Sequence, residues 1–268
     1  MKEFSADWLA LRELYDMRAR NPSVLKSVVQ TFNDVLAITI VDLGCGTGSM
    51  MRALSSCFPQ HQDWRLFDND LRLLERARAT PHPAAGTVTV FLADLSRDLE
   101  VVSETPADMV TTSALLDLVS EAWLERLASK IAARSLPFYA TITHDGRIDL
   151  TPADSFDAAV LAAVKAHQRS DKGFGPALGA TAASFAITRL QSLGYSVVQG
   201  TSDWVIAPHD YDMQLEMLAG WAAAAHEMGE RFTAVADWLA RRCELLASGQ
   251  SSMRIGHVDF WARQTGTR

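Results

Sequence analysis

An α/β fold built on a mostly parallel sheet, with helices on both faces, is what this sequence predicts. Three observations point there. Strand-like and helix-like segments alternate from residue 37 to residue 144. The first apolar strand runs straight into a glycine stretch, "VDLGCGTG" (41–48). And the chain, 268 residues with 48% hydrophobic content, can bury a core that size without a linker dividing it.

The elements follow in order. Residues 5–33 read as helices broken at Asn21-Pro22, because the residue before proline is steered out of the helical region. "AITIVDLG" (37–44) is the first strand and "SMMRALSSCF" (49–58) the helix after it. "DWRLFDND" (63–70) is the second strand, followed by a helix over 70–79 that Asp70 can cap. "GTVTVFLADL" (86–95) and "ADMVTTSAL" (107–115) are the third and fourth, then a helix over 119–134. "LPFYATITH" (136–144) is the fifth. Residues 145–179 hold a helix and a polar, Gly-rich loop, and 181–195 resume helical spacing. "SVVQGTSDWVIA" (196–207) is a sixth strand, expected to bend at Gly200. Residues 210–248 form a helical pair, and "MRIGHVDFWARQ" (253–264) is a seventh strand.

Composition narrows the function. Twenty-five Lys and Arg against 32 Asp and Glu leave a formal charge of −7, which argues against a broad nucleic-acid footprint. Three scattered cysteines, Cys45, Cys57 and Cys243, make neither a CxxC pair nor an even set. They suggest a reducing, cytoplasmic protein without a zinc site. The N-terminus has an amphipathic pattern carrying acids, unlike a signal peptide, and no apolar run reaches the ~18 residues of a membrane span.

The glycine stretch carries the functional signal. Glycines after a strand admit backbone angles closed to other residues and let a ligand approach the main chain. Ligands of open α/β sheets lie at the carboxyl ends of the strands. The spacing is GxGxG; in the dinucleotide fingerprint GxGxxG the last glycine would stand where this chain has Ser49. Asp68 closes the second strand, placed to accept hydrogen bonds from ribose hydroxyls, and Asp94 closes the third, placed to meet an adenine amino group. Each aspartate also has a plain reading as a helix cap.

In these residues the sequence resembles the class I S-adenosylmethionine-dependent methyltransferases. "VDLGCGTG" is similar to that family's first motif. The resemblance implies that Gly44, Cys45 and Gly46 line the methionine end of the cofactor, with Asp42 orienting the loop or the cofactor's amino group. It puts Asp68 and the adjacent Asn69 at the ribose, Asp94 and Leu95 beside adenine, and Ser113 of "TTSALLDLV" near the methyl group. The implied fold is a Rossmann-like seven-stranded mostly parallel sheet with flanking helices, its last strand antiparallel. The implied cofactor is S-adenosyl-L-methionine, with S-adenosyl-L-homocysteine as product and no metal. The family usually joins strands six and seven by a short turn, whereas here about 45 residues intervene. We therefore divide the chain into an N-terminal helical cap segment (1–36), an α/β core (37–208) with a substrate loop at 145–179, an added helical cap (209–250) and the last strand (251–268).

The acceptor is less legible. The fourth-strand motif lacks the Asp/Asn-Pro-Pro-Tyr/Phe pattern of base-amine methylation and the Pro-Cys of pyrimidine attack, and clustered carboxylates for a metal are absent. This favours a small, polar acceptor, methylated on nitrogen or oxygen, with no membrane and a monomer or homodimer. His144 ends strand five at the same rim as Gly44 and suits a general base; its plain reading is a loop histidine bonded to backbone. Tyr15 is a second catalytic candidate. Arg12, Arg18, Asp117, Arg169, Lys172 and Trp204 are the candidates for holding the acceptor, Arg169 by a forked contact with a carboxylate. Arg12 and Asp16 are also spaced for a surface ion pair, and Trp204 for core packing. The rival readings are an RNA methyltransferase with a basic groove of Arg18, Arg20, Lys26, Arg169 and Lys172, a nucleotide-dependent oxidoreductase, and a non-catalytic cofactor-binding regulator.

Overall fold

The computed structural model describes residues 5–58, 61–79 and 85–266. Its sheet joins β1 (Ala37–Leu43), β2 (His61–Asp68), β3 (Ala85–Leu92), β4 (Met109–Ser113), β5 (Phe138–Thr151), β6 (Tyr195–Thr201) and β8 (Ser252–Gln264) in the order β3-β2-β1-β4-β5-β8-β6. β1 to β5 pair in parallel, and β8 runs antiparallel between β5 and β6. A short β7 (Trp204–Ile206) also pairs with β8. This is the Rossmann-like sheet expected from the sequence, with an eighth strand made by dividing the sixth. The division falls at Ser202-Asp203, where the Ser202 N–H donates to the His257 carbonyl, and not at Gly200, which stays in register with Asp259. A side chain at Gly200 would collide with Asn21, so its lack of one serves packing.

The helices are α1 (Ala6–Ala19), α2 (Pro22–Thr31), α3 (Ser49–Ser55), α4 (Leu71–Ala79), α5 (Val101–Glu104), α6 (Glu121–Ala133), α7 (Asp157–Gln168), α8 (Ala182–Ser192), α9 (Tyr211–Glu227) and α10 (Phe232–Ala247). Strand alternation sends them to opposite faces. Ile38 and Ile40 of β1 face Val24, Val28, Met50, Leu54 and Leu74, from α2, α3 and α4. Val41 and Leu43 face the layer of α5, α6 and α8, with Trp123, Leu127, Ile131 and Leu190. Helix starts follow the capping rules. Asn21 Oδ1 accepts from the Ser23 and Val24 N–H groups ahead of α2, with Pro22 in its first turn, and Asp70 Oδ1 accepts from the Arg72 N–H at α4.

Beyond the Rossmann-like core lies a third apolar layer that sequence periodicity did not outline. β5 does not stop at His144 but continues to Thr151, through residues expected to open a loop. Its pairing with β8 shifts register twice, between Ala140 and Thr143 and between His144 and Ile148. Within the first shift Ile142 takes φ +53°, and its N–H donates to Asp259 Oδ1 at 2.8 Å. Asp259 is fully buried, and its other oxygen accepts the Asn21 N–H, so one carboxylate fastens the α1–α2 junction to the kink in β5. Past the kink, Ile148, Leu150, Met253 and Ile255 pack against α7, α9 and α10 through Val160, Val164, Trp221 and Trp238.

A buried ion pair holds that layer. Arg242 has no solvent exposure; it meets the Asp157 carboxylate and donates to the Pro152 carbonyl at 2.7 Å, while Trp238 Nε1 donates to Asp157 at 2.8 Å. Removing one member of such a pair leaves an uncompensated charge, at a cost of about 3–5 kcal/mol. Asp157→Asn is therefore expected to lower the melting temperature by roughly 10 °C, at about 2–4 °C per kcal/mol for a chain of this size. Thermal denaturation followed by circular dichroism checks it; a shift below about 2 °C would mean that Arg242 finds another acceptor.

Candidate functional site

Gly44, Gly46 and Gly48 carry φ angles of +66°, +53° and +82°, the left-handed region that side chains resist. The turn is pinned to the neighbouring strand: the Gly44 and Cys45 N–H groups donate to the Phe67 carbonyl at 2.9 and 3.0 Å, and the Gly46 N–H donates to Asp68 Oδ2 at 2.8 Å. A Cβ at Gly46 would sit 3.1 Å from Leu9 of α1, and one at Gly44 3.3 Å from Leu115 after β4. The loop thus forms the floor of a narrow space at the carboxyl ends of β1, β2 and β4, a cavity of about 260 Å³.

Helix α1 closes one side of that cavity. Leu9, Arg12 and Asp16, one stripe at spacings of three and four, line it. Glu13 pairs in a forked contact with Arg52 of α3 at 2.6 Å, and Arg52 also donates to the Thr47 carbonyl, so α1 is fastened to the glycine loop. Arg12 donates to Asp16 at 3.0 and 3.2 Å and lies 4.9 Å from the centre of the Trp204 ring. Trp204 Nε1 donates to Asp16 Oδ1 at 3.0 Å, which makes the tryptophan a support behind the wall.

The electrostatics are acidic. Asp16, Asp42, Asp68 and Asp70 line the cavity against, among the described residues, a single lining cation, Arg12, already paired with Asp16. Asp42 is 1% exposed; Thr111 Oγ1 donates to its Oδ1 at 2.9 Å, and its Oδ2 has no partner among the described residues. Burial pushes its carboxyl up to about 7, opposed by the Thr111 bond and helped by Asp68. Burial likewise raises the Asp68 carboxyl, while the Gly46 and Asp70 N–H groups that donate to it pull it back. The Cys45 thiol is raised well above its ordinary range by burial and by those two aspartates, so it remains a neutral, small lining group. A glycine turn with two carboxylates beneath it repels a pyrophosphate and suits a cationic ligand. The three left-handed glycines, the unpartnered Asp42 oxygen and the Asp68 carboxylate fit S-adenosylmethionine.

Of the residues singled out in the sequence, Asp42, Gly44, Cys45, Gly46, Asp68, Asn69, Leu95, Ser113 and Arg12 line the cavity. Asp94 does not; its Oδ1 caps a turn by accepting from the Ser96 N–H and hydroxyl. Tyr15 points to the third apolar layer, its hydroxyl bonded to Asp210, and burial first, then Asp210, push it up to about 12. Arg18 is exposed over the Tyr15 ring. Arg169 is exposed, and Lys172 bonds Ser170 Oγ at 2.9 Å. The residue of that loop that reaches the cavity is Phe174, set edge-on to Trp123 at 5.5 Å; Trp123 Nε1 in turn donates to the Leu95 carbonyl at 2.7 Å. Gly173 and Gly175, whose N–H groups both donate to Asp171 Oδ1, make the turn that aims it. No residue of α9 or α10 lines the cavity among the described residues; the pair covers the third layer. His144 and Asp117 do not line the cavity; His144 is 5% exposed, with Nδ1 3.0 Å from the Gly256 carbonyl oxygen, and Asp117 Oδ1 is buried.

Residues 40–137 match the family model of a methyltransferase domain. The match, the strand order and the glycine loop agree: residues 40–137 form a methyltransferase domain with the S-adenosylmethionine-dependent fold. Among solved structures it is similar to a cyclopropane-fatty-acyl-phospholipid synthase-like protein from Lactobacillus casei, with TM-score 0.53, 14% identity, and 95% of this chain and 94% of that one covered. It is also similar to the YcgJ protein of Bacillus subtilis, with TM-score 0.50, 12% identity, and 92% and 100% covered. At these identities the likeness is one of fold. No curated protein matches the chain. Among the described residues there is no cluster of three or more metal-ligating side chains, and no helix long and apolar enough to cross a membrane.

Proposed function

We propose that this methyltransferase acts on nitrogen or oxygen of a small polar molecule. The observation that carries the reading is the lining of the cavity: about 260 Å³, floored by the glycine loop, walled by α1 and reached by Phe174. A walled concave site of this size suits a compact acceptor better than a polymer. The bound sulfonium supplies an electrophilic methyl group; the chain binds, orients and excludes water. In this reading Asp68 and Asn69 hold the ribose, Asp42 meets the ammonium, Ala93 and Leu95 flank the adenine, and Ser113 and Arg12 face the acceptor side. Holding the acceptor in line with the sulfur–methyl bond then provides much of the rate enhancement. The RNA reading loses one of its five cations to the interior: Arg20 is directed at the Tyr139 hydroxyl and Met50 sulfur rather than to a surface groove.

The test is transfer of labelled methyl from S-adenosylmethionine to a panel of small amines, alcohols, phenols and carboxylates, with total RNA alongside. Labelling of one or more small compounds and none of RNA is expected. Labelling of RNA alone would overturn the reading.

A further inference from the structure

Beside Arg12 of the cavity wall, whose charge acts on Asp117 and His257 alike, three polar side chains lie close together without satisfying one another. Asp117 Oδ1, His144 Nε2 and His257 Nδ1 are buried and have no hydrogen-bond partner among the described residues. The two histidines are each 5% exposed, with ring centres 5.6 Å apart. Buried polar atoms nearly always find a partner, so several orphans in one place mark a seat for a group that supplies the missing bonds.

The tautomer of His144 is fixed by its neighbour. Its Nδ1 lies 3.0 Å from the Gly256 carbonyl oxygen, which can only accept; Nδ1 therefore carries a hydrogen, and in the neutral ring Nε2 presents a lone pair. Burial, His144 and Arg12 keep His257 well below the ordinary histidine range, hence neutral. Burial raises the Asp117 carboxyl, with His144 and Arg12 opposing. The seat connects to the cavity through Arg12, which lines the cavity, and Trp204, whose ring centre is 4.9 Å from that of His257. Arg12 is neutralised by Asp16, so no unpaired cation waits there for a carboxylate or phosphate.

We propose that Asp117, His144 and His257 form the acceptor's seat, and that the acceptor presents a neutral O–H or N–H whose proton passes to His144 Nε2. The proposal rests on the methyltransfer reading and narrows its substrate class to alcohols, phenols and neutral nitrogen heterocycles or amines. The O–H or N–H bond breaks with its electron pair left on the acceptor atom, and the proton moves to Nε2. The acceptor atom's lone pair forms the bond to the methyl carbon, and the sulfur–methyl pair returns to sulfur as the thioether. Asp117 and His257 complete the hydrogen bonds around the acceptor. His257 carries no sequence signal beyond its place on an alternating strand.

The experiment uses the full chain, ¹⁵N-labelled at histidine and saturated with S-adenosylhomocysteine at pH 8. Phenol and imidazole serve as neutral O–H and N–H probes and acetate as an anion. Saturable movement of the His144 Nε2 resonance with phenol or imidazole, and none with acetate, is expected. His257→Asn should weaken the probe at least tenfold while leaving S-adenosylhomocysteine affinity within twofold. His144→Gln keeps a donor for Gly256 and an acceptor for the probe. It should retain probe binding within threefold yet lose at least 100-fold in transfer to any acceptor found. No movement with either neutral probe, in protein that binds S-adenosylhomocysteine, would show that water alone fills the seat and overturn the proposal; movement with acetate alone would also overturn it. Failure to bind S-adenosylhomocysteine at all would instead remove the methyltransfer reading beneath it.

Discussion

Asp68→Ala is expected to weaken S-adenosylhomocysteine binding at least ~100-fold in calorimetry, with the protein still folded. Asp68 closes β2 at the cavity edge, and each of its oxygens already accepts one backbone N–H, from Gly46 at 2.8 Å and from Asp70 at 3.0 Å. A carboxylate oxygen has a further lone pair, so both remain able to accept from a ribose hydroxyl. Hydrogen bonds to charged groups contribute about 1.5–3 kcal/mol each. Losing two costs at least about 3 kcal/mol, or two powers of ten at ~1.4 kcal/mol per decade. The substitution also releases the Gly46 N–H, loosening the turn that bears the rest of the ligand. Asp68→Asn, which keeps one acceptor oxygen, should fall between, near a tenfold loss. A loss below threefold for the alanine variant, with an unchanged melting temperature, would move the ribose away from β2.

The contrast between Asp68 and Phe174 shows where sequence reasoning succeeds and where it stops. Asp68 was legible because its position follows from local rules: a period-two strand ends, and its last residue must lie at the rim beside the glycine turn. The same rules placed Gly44, Gly46 and Ser113 on one floor. Phe174 depends on how a thirteen-odd-residue connection folds back, and the sequence draws attention to the charges around it instead. Those charges face solvent or one another, while the apolar ring turns inward, as burial energetics favour. On α1 the ambiguity is one of helix phase. Apolar residues surround the helix at Trp8, Leu9, Leu11, Leu14 and Met17, so periodicity does not choose between the stripe of Leu9, Arg12 and Asp16 and the adjacent one of Tyr15 and Arg18. Packing of Trp204 against Tyr15 and the Glu13–Arg52 pair make the choice.

A similar limit hid the extension of β5. "HDGRID" has the composition of a turn. In the structure Gly146, at φ +84°, sits in a bulge, and Arg147 pairs with Asp145 and with Asp203 at 2.7 Å, tying the strand to the segment between β6 and β7. Gly146 is needed there because a Cβ would lie 2.8 Å from Ala180. The bulge carries the chain past the rim where His144 sits, and that is why His144 meets His257 of β8 rather than ending in a solvent loop.

Asp42→Asn is expected to move stability and binding in opposite directions. The Asp42 carboxyl titrates near 3.8 in an unfolded chain and near 7 in the folded, ligand-free protein, chiefly because it is buried. Between those values the native state holds a proton that the unfolded state has released, so stability falls as pH rises through the window, and the loss is complete above pH 7. At about 1.36 kcal/mol per unit over roughly three units, the loss is about 4 kcal/mol. An asparagine cannot ionise and removes this dependence. Its amide hydrogens, placed where Oδ2 has no partner, give back about 1–3 kcal/mol. The ligand-free variant should therefore melt about 3–8 °C above the wild type at pH 8 and at or below it at pH 4, measured by differential scanning calorimetry. Binding should reverse the sign. The wild-type carboxylate stands ready to meet the ammonium of S-adenosylmethionine, and its affinity should rise as pH climbs through 7. The variant should bind at least ~10-fold more weakly at pH 8 and show no such rise. A buried acid that weakens the empty fold and strengthens the loaded one is a group retained for its ligand. Loss of stability at pH 8, with unchanged affinity, would show that Asp42 serves instead as a strut for the Thr111 hydroxyl, and the ammonium would have to be sought elsewhere along the acidic wall.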